Sequence, residues 1–380
     1  MLVVRLRGIR VFPLKFGRFL AASAHGTTLA IGAKGMNPEH DSMDQQLLNL
    51  IQTEVPVVER PFAALGEKLG TSEADVIERI HRLKTDKIIR QISAIFDTRS
   101  LGYASSLVAC KCDPRHEDEA AAIIGQHPGV SHNYKRNHEF NLWYTIAVPP
   151  TSRLGLEKTV ETLHKESGAE STRLLPTLKL FKIGVQFDVT GEGKVDDQAA
   201  PKYTEKNRSE QTPVTPREIE FIRVMQRNLP LTPTPFVEYA KEIGLSLPEL
   251  QEMHARFLQQ GKMRRFSAVL NHRKVGFAAN AMGVWAVRAE DAEVERIGEM
   301  MGSFRAVSHC YKRPTYPDWP YNIFTMVHGK SSGECEQVLK AISEKTGVKE
   351  YSALYSTKEY KKIRVRYFTR EEGEWEAKRA

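Results

Sequence analysis

The sequence predicts an α+β chain built twice over, each copy a winged helix-turn-helix followed by a βαββαβ unit. Three observations predict it. Segments recur at an offset of 174 to 177 residues, the first part of each recurrence carries apolar residues at helical spacing around a Gly-containing turn, and the second part alternates strand-like runs with amphipathic stretches. The recurrence weighs most. Pro61-Phe62 returns as Pro235-Phe236, Leu69-Gly70 as Ile243-Gly244, Ser93-Ala94 as Ser267-Ala268 and Gly102 as Gly276. Further on, Ser131-His132-Asn133-Tyr134-Lys135-Arg136 returns as Ser308-His309-Cys310-Tyr311-Lys312-Arg313.

Taken in order, residues 1–42 form a basic, mildly apolar extension whose runs are broken by Lys15, Arg18 and His25, too interrupted to cross a membrane. Basic residues ahead of Ala21-Ala22-Ser23-Ala24 resemble a cleavable targeting segment. The preferred expectation is an extension without fold, upstream of a start at Met36 or Met43. Residues 43–98 then read as helices over 43–51, 61–69 and 73–84. Pro61 opens the second helix, and Ser72 after Gly70-Thr71 caps the third, whose buried stripe is Val76, Ile77, Ile80 and Leu83. The run from Ile88 to Phe96 reads as a hairpin, the wing. Residues 99–187 alternate strand (107–112), helix (117–126), two strands (130–136 and 140–148), helix (154–167) and an extended run, the ferredoxin-like order. Residues 188–214, with Gly191-Glu192-Gly193 and few apolar side chains, form a linker. The second copy follows as 215–272 and 273–368, and 369–380 is a charged tail.

The composition sets limits. With 380 residues, 41% hydrophobic and 27% charged, the chain is globular, and its length calls for several small cores. Four scattered cysteines make no disulfide framework and point to a reducing, cytoplasmic setting. Cys110-Lys111-Cys112 with His116 offers half a zinc site, and no second pair completes it. The formal charge of +8 concentrates at the ends, +4 in residues 1–42 and +3 in 358–380, so the middle is nearly neutral and gives no argument for nucleic acid.

Ile88-Ile89-Arg90 after the third helix and Leu101-Gly102-Tyr103 opening the second domain resemble the Lrp/AsnC family over nearly everything from Met43 to Phe368. That resemblance implies a tandem transcription regulator that binds DNA and senses an amino acid. The helices argue against it, because Glu73, Asp75 and Glu78, and Glu249 and Glu252, stand where phosphates would approach. The hairpin segments from His132 to Tyr144 and from His309 to Phe324, the latter with Pro317-Asp318-Trp319-Pro320, resemble the signatures of siroheme decarboxylase subunits.

This second resemblance implies removal of two acetate carboxyl groups from siroheme to give didecarboxysiroheme, for an alternative heme route or for the heme of a nitrite reductase. It implies a fused pseudo-heterodimer, open to further self-association, with no cofactor beyond the iron of its substrate. Alternation along a strand puts His132, Tyr134 and Arg136 on one face and Lys135 on the other, and likewise His309, Tyr311 and Arg313 against Lys312. His132, Tyr134, His309 and Tyr311 are expected to transfer protons or to position the acetates. Arg136, Arg313, Lys135, Lys312, Asn141 and Asn322 are expected to hold carboxylates, with Trp143 and Trp319 lining the macrocycle or packing in the core. His309, or alternatively His132, is the expected axial ligand of the substrate iron. A tetrapyrrole carrier without proton donors is the third reading.

Overall fold

The computed structural model describes residues 41–183, 213–271, 279–329 and 331–379; the N-terminal extension up to residue 40 and the linker over 188–212 lie outside them. The first copy runs α1 (Ser42–Thr53), α2 (Pro61–Leu69), α3 (Glu73–Thr85), β1 (Ile89–Phe96), β2 (Ala104–Lys111), α4 (Glu117–Gly125), β3 (Val130–Arg136), β4 (Leu142–Val148), α5 (Gly155–Ser167), β5 (Ser171–Leu175) and β6 (Lys179–Ile183). The second runs α6 (Pro216–Met225), α7 (Pro235–Glu242), α8 (Leu247–Gln259), β7 (Met263–Leu270), β8 (Ala279–Trp285), α9 (Asp291–Gly302), β9 (Val307–Lys312), β10 (Ile323–Gly329), α10 (Ser332–Thr346) and β11 (Tyr351–Lys362), with α11 (Arg370–Ala377) closing the chain.

Local chemistry sets the helix ends. Ser72 accepts from the Asp75 amide, while Thr215 with Glu218 and Ser246 with Glu249 make reciprocal capping boxes. Gly70 between α2 and α3 sits at φ 70°, a left-handed conformation that costs a residue with a Cβ about 1 kcal/mol or more.

The wing is not a hairpin. In each copy it is a single strand, and β1 pairs antiparallel with β7, Ser93 opposite Ser267, so one ribbon is shared by both copies. The two helix-turn-helix units close over it in one core holding Ile51, Phe62, Ile80, Phe221, Phe236 and Phe257.

Each βαββαβ unit forms an antiparallel four-stranded sheet, ordered β5-β2-β4-β3 in the first copy and β11-β8-β10-β9 in the second. The copies then exchange strand ends. β6 leaves the first copy to pair with β9, and the far half of β11, from Ser356 to Lys362, pairs with β3. Exchange of this kind covers edge strands that would otherwise stay open. It is locked by a close approach. A Cβ on Gly298 of α9 would stand 2.3 Å from the ring of Phe181 on β6.

Helices α4 and α5 cover one face of the first sheet, and α9 and α10 cover one face of the second. The opposite faces meet in a central core drawn from both copies, with Ala109, Trp143, Val284, Trp319, Phe324 and Leu354. The 369–380 segment, expected as a charged tail, carries α11, whose Trp375 packs among the first copy's core residues.

Candidate functional site

Strand alternation delivers the duplicated residues as expected. On β3, Asn133 donates to the Ala121 carbonyl of α4 and Lys135 pairs with Glu117 at the start of α4, so these two face the helices. His132, Tyr134 and Arg136 therefore share the other face, and Tyr134 lies opposite Trp143. The second copy is the same. Cys310 belongs to the helix-side core and Lys312 pairs with Asp291 of α9 at 3.0 Å, leaving His309, Tyr311 and Arg313 inward.

Arg136 and Arg313 are both buried. Each donates Nη1 to a carbonyl of the other copy, Arg136 to Leu354 at 3.0 Å and Arg313 to Leu175. Arg136 stacks near Tyr134 and Trp143, and Arg313 near Tyr311 and Phe324. Neither Nε has a hydrogen-bond partner, and no carboxylate among the described residues pairs with either group. Burial pushes both guanidinium groups down to about 10. Two buried cations without counter-ions form a pair of anion-seeking groups.

The two histidines differ in their neighbours. His132 lines a cleft of about 390 Å³ with Arg90, Gln91, Lys362, Arg364 and Tyr367. Burial and then the charge of Lys362 lower its pKa. Arg364 is committed to Ser93 Oγ and the Ala94 carbonyl, and no acid among the described residues pairs with it. A second cleft of about 750 Å³ shares residues 363–365 with the first and adds Arg223, Arg227, Arg366 and Arg370. His309 is bonded to Ser308, and burial, followed by the charges of His328, Arg264, Lys182 and Arg313, pushes it down to about 4. Opposite His132 on the exchanged strand stands Lys362; opposite His309 stands Ile183.

Several expected contacts are corrected. Asn141 clamps β2, accepting from the Cys112 amide at 3.0 Å and donating to its carbonyl, and Asn322 does the same to Val287. Both are committed to backbone clamps, and Asn141 also donates to the Glu117 carboxylate at 3.1 Å. Lys135 and Lys312 are spent on helix-side acids. Trp143 and Trp319 are fully buried in the central core, where their rings meet edge to face at 5.3 Å. His138, which has no counterpart, packs edge-on to Trp319.

Sequence reasoning missed Arg90, Lys362, Arg364, Ser131, Ser308 and His328. The two serines open the duplicated hexapeptide, and Arg90 recurs as Arg264, so a signal was present for those three.

Comparison with known proteins agrees with this architecture. Residues 44–90 and 218–264 match the siroheme decarboxylase NirDL-like HTH domain, and 100–182 and 274–361 match the AsnC-like ligand binding domain. The chain is 39% identical over 330 residues to a siroheme decarboxylase from Hydrogenobacter thermophilus, a match spanning 87% of this chain and 96% of the relative. It is 32% identical to a siroheme decarboxylase NirDL subunit from Paracoccus denitrificans, over 79% of this chain and 88% of that one. A siroheme decarboxylase beta subunit from Methanosarcina barkeri is 43% identical over 39% of this chain, with 97% of the subunit covered. Among solved structures, the siroheme decarboxylase NirDL matches with a TM-score of 0.71 and 34% identity, over 88% of this chain and 97% of that one. The same protein in complex with an iron-uroporphyrin III analogue matches with 0.70 and 34%, over 88% and 98%.

Proposed function

The chain belongs to the siroheme decarboxylase family, and on that premise we propose that it is a carboxy-lyase that removes two acetate carboxyl groups from siroheme without oxidation, giving didecarboxysiroheme. The observation that carries the reading is the cationic cleft at His132. Arg90, Lys362 and Arg364 converge there on a half-buried imidazole, which suits a flat iron tetrapyrrole rimmed with carboxylates.

In each decarboxylation the bond from the acetate methylene to its carboxylate breaks, carbon dioxide leaves, and the electron pair is held by the macrocycle until a proton arrives at that carbon. The protein must keep water away from the carboxylate and supply the proton. Buried Arg136 and Arg313 would grip carboxylates, with Tyr134 and Tyr311 beside them. His309, bonded through Nδ1 to Ser308, is the proposed proton donor. His132, on the wall of the cleft, is the better axial ligand for the substrate iron, which reverses the order of the two expected from the sequence. No further cofactor is called for.

The regulator reading is not favoured. Arg79 of α3 is tied to Asp41, Asp44 and Asp75, and Arg82 to Asp44, so the side chains that would reach DNA are held by acids of the same domain. Among the described residues no helix is long and apolar enough to cross a membrane.

Anaerobic incubation of the full chain with siroheme, followed by mass analysis, tests the reading. Loss of two carbon dioxides supports it; tight binding without mass change points to a carrier, and no binding returns the regulator.

A further inference from the structure

We propose that Ser308 and His328 form a proton relay behind His309, present in the second copy alone. The proposal rests on the decarboxylase reading above. Ser308 Oγ lies 2.8 Å from His309 Nδ1 and 2.7 Å from His328 Nε2, with the Met326 carbonyl at 3.2 Å. One hydroxyl proton thus stands between two imidazoles, and donation to His309 requires acceptance from His328.

The first copy supplies the contrast. Ser131 Oγ lies 3.0 Å from His132 Nδ1, but its second contact is Thr145 Oγ1 at 2.8 Å. Val130 faces Ile146 on β4 as Val307 faces Val327 on β10, so the residue one further on is Ala147 in the first copy and His328 in the second. The chain behind His132 ends at a hydroxyl; the chain behind His309 ends at an imidazole, whose one ring nitrogen can take up a proton as the other gives one away.

The relay answers a chemical difficulty. With its pKa pushed down to about 4, His309 is a neutral imidazole near pH 7, and giving up Nε2–H alone would leave a buried imidazolate. In the relay the Nε2 proton passes to the substrate carbon whose bond to carbon dioxide has broken. The Ser308 hydroxyl proton moves to His309 Nδ1, the His328 Nε2 proton moves to Ser308 Oγ, and a proton drawn in the end from solvent replaces it on the His328 ring. After product release, solvent returns a proton to His309 Nε2 and the chain shifts back. The net proton consumed comes from solvent, and no oxidant or reductant is needed.

The test compares wild type, His328→Ala and His328→Gln as full chains, under anaerobic single turnover with siroheme. Both His328 variants should release carbon dioxide about tenfold or more slower, with siroheme affinity by absorbance titration unchanged. Glutamine keeps the hydrogen bond but passes on no proton, so equal slowing by Ala and Gln separates a relay from simple positioning. Turnover at the wild-type rate in both His328 variants overturns the relay. If wild type itself releases no carbon dioxide, the decarboxylase reading fails instead, and the imidazole 15N signals then decide the relay. Ser308→Ala should move the signals of both His309 and His328, and a spectrum with neither moved overturns the hydrogen-bonded chain.

Discussion

The two copies fold the same strands around the same inward-facing His-x-Tyr-x-Arg, yet they surround the histidine differently. On the first copy the exchanged strand brings Lys362 opposite His132, while on the second it brings Ile183 opposite His309. Behind the histidine, Thr145 takes the serine contact in the first copy and His328 takes it in the second. A duplicated hairpin thus sets a common frame, and the residues packed on it divide the work: the first imidazole lines a cleft with Arg90, Lys362 and Arg364, and a proton path lies behind the second.

Five substitutions would sharpen or break this contrast. The largest effect is expected at Trp375, which packs on the first copy from α11 with its ring 4.3 Å from that of His127. Trp375→Ala should cost about 3 kcal/mol in denaturant unfolding, by cavity formation. It should raise hydrogen exchange in α4 and α5 while leaving α9 and α10 protected.

The helix-side lysines come next. Glu117 is buried and also accepts from Asn141, whereas Asp291 is exposed. Lys135→Ala strands a buried carboxylate and should cost about 1–3 kcal/mol, and Lys312→Ala no more than about 0.5 kcal/mol. Equal costs would show that the two pairs are equivalent after all.

Lys362→Ile gives the first copy the residue of the second. It should weaken siroheme binding about tenfold, roughly 1.4 kcal/mol, with the rate of carbon dioxide release from bound substrate unchanged. A slower chemical step at unchanged affinity would move Lys362 from binding to chemistry.

The effect that is smallest at neutral pH is one of titration. His254 on α8 occupies the place that buried Ile80 holds on α3, its Nε2 is buried without a partner, and burial pushes its pKa down to about 4. The unfolded chain, with an ordinary histidine near 6.5, binds the proton first as pH falls. Stability from this group is therefore whole above about 6.5 and declines towards 4. His254→Ile should remove that part of the slope in unfolding titrations from pH 7 to 4 and leave stability at pH 7.5 equal or higher. An unchanged slope would mean that the imidazole gains a partner on protonation.

Much of this architecture is legible in the sequence because it is written twice. The repeat locates both helix-turn-helix units, their caps at Ser72 and Ser246, and the βαββαβ order; strand alternation alone turns His132, Tyr134 and Arg136 inward. What alternation cannot supply is the partner of a strand. The run from Ile88 to Phe96 reads as a hairpin because a wing is expected to pair with itself, but its partner lies in the other copy. Pro176 and the two residues after it, which let the end of the first copy swing from β2 to β9, look like any loop. Lys135 and Lys312 show the same limit: their face is legible, and the acid waiting there is not. Asn141 and Asn322 repeat because a backbone clamp repeats, so duplication alone does not mark a substrate contact. His328 escaped notice for the opposite reason, having Ala147 as its counterpart.

The central claim is that the two histidines do different work. Its most direct test titrates anaerobic siroheme into His132→Ala and His309→Ala, recording the absorption of the bound tetrapyrrole and its mass over time. The account predicts that His309→Ala binds siroheme with the wild-type spectrum and releases little carbon dioxide, while His132→Ala shows an altered iron spectrum and weaker binding. Two variants alike in spectrum, affinity and product would contradict it.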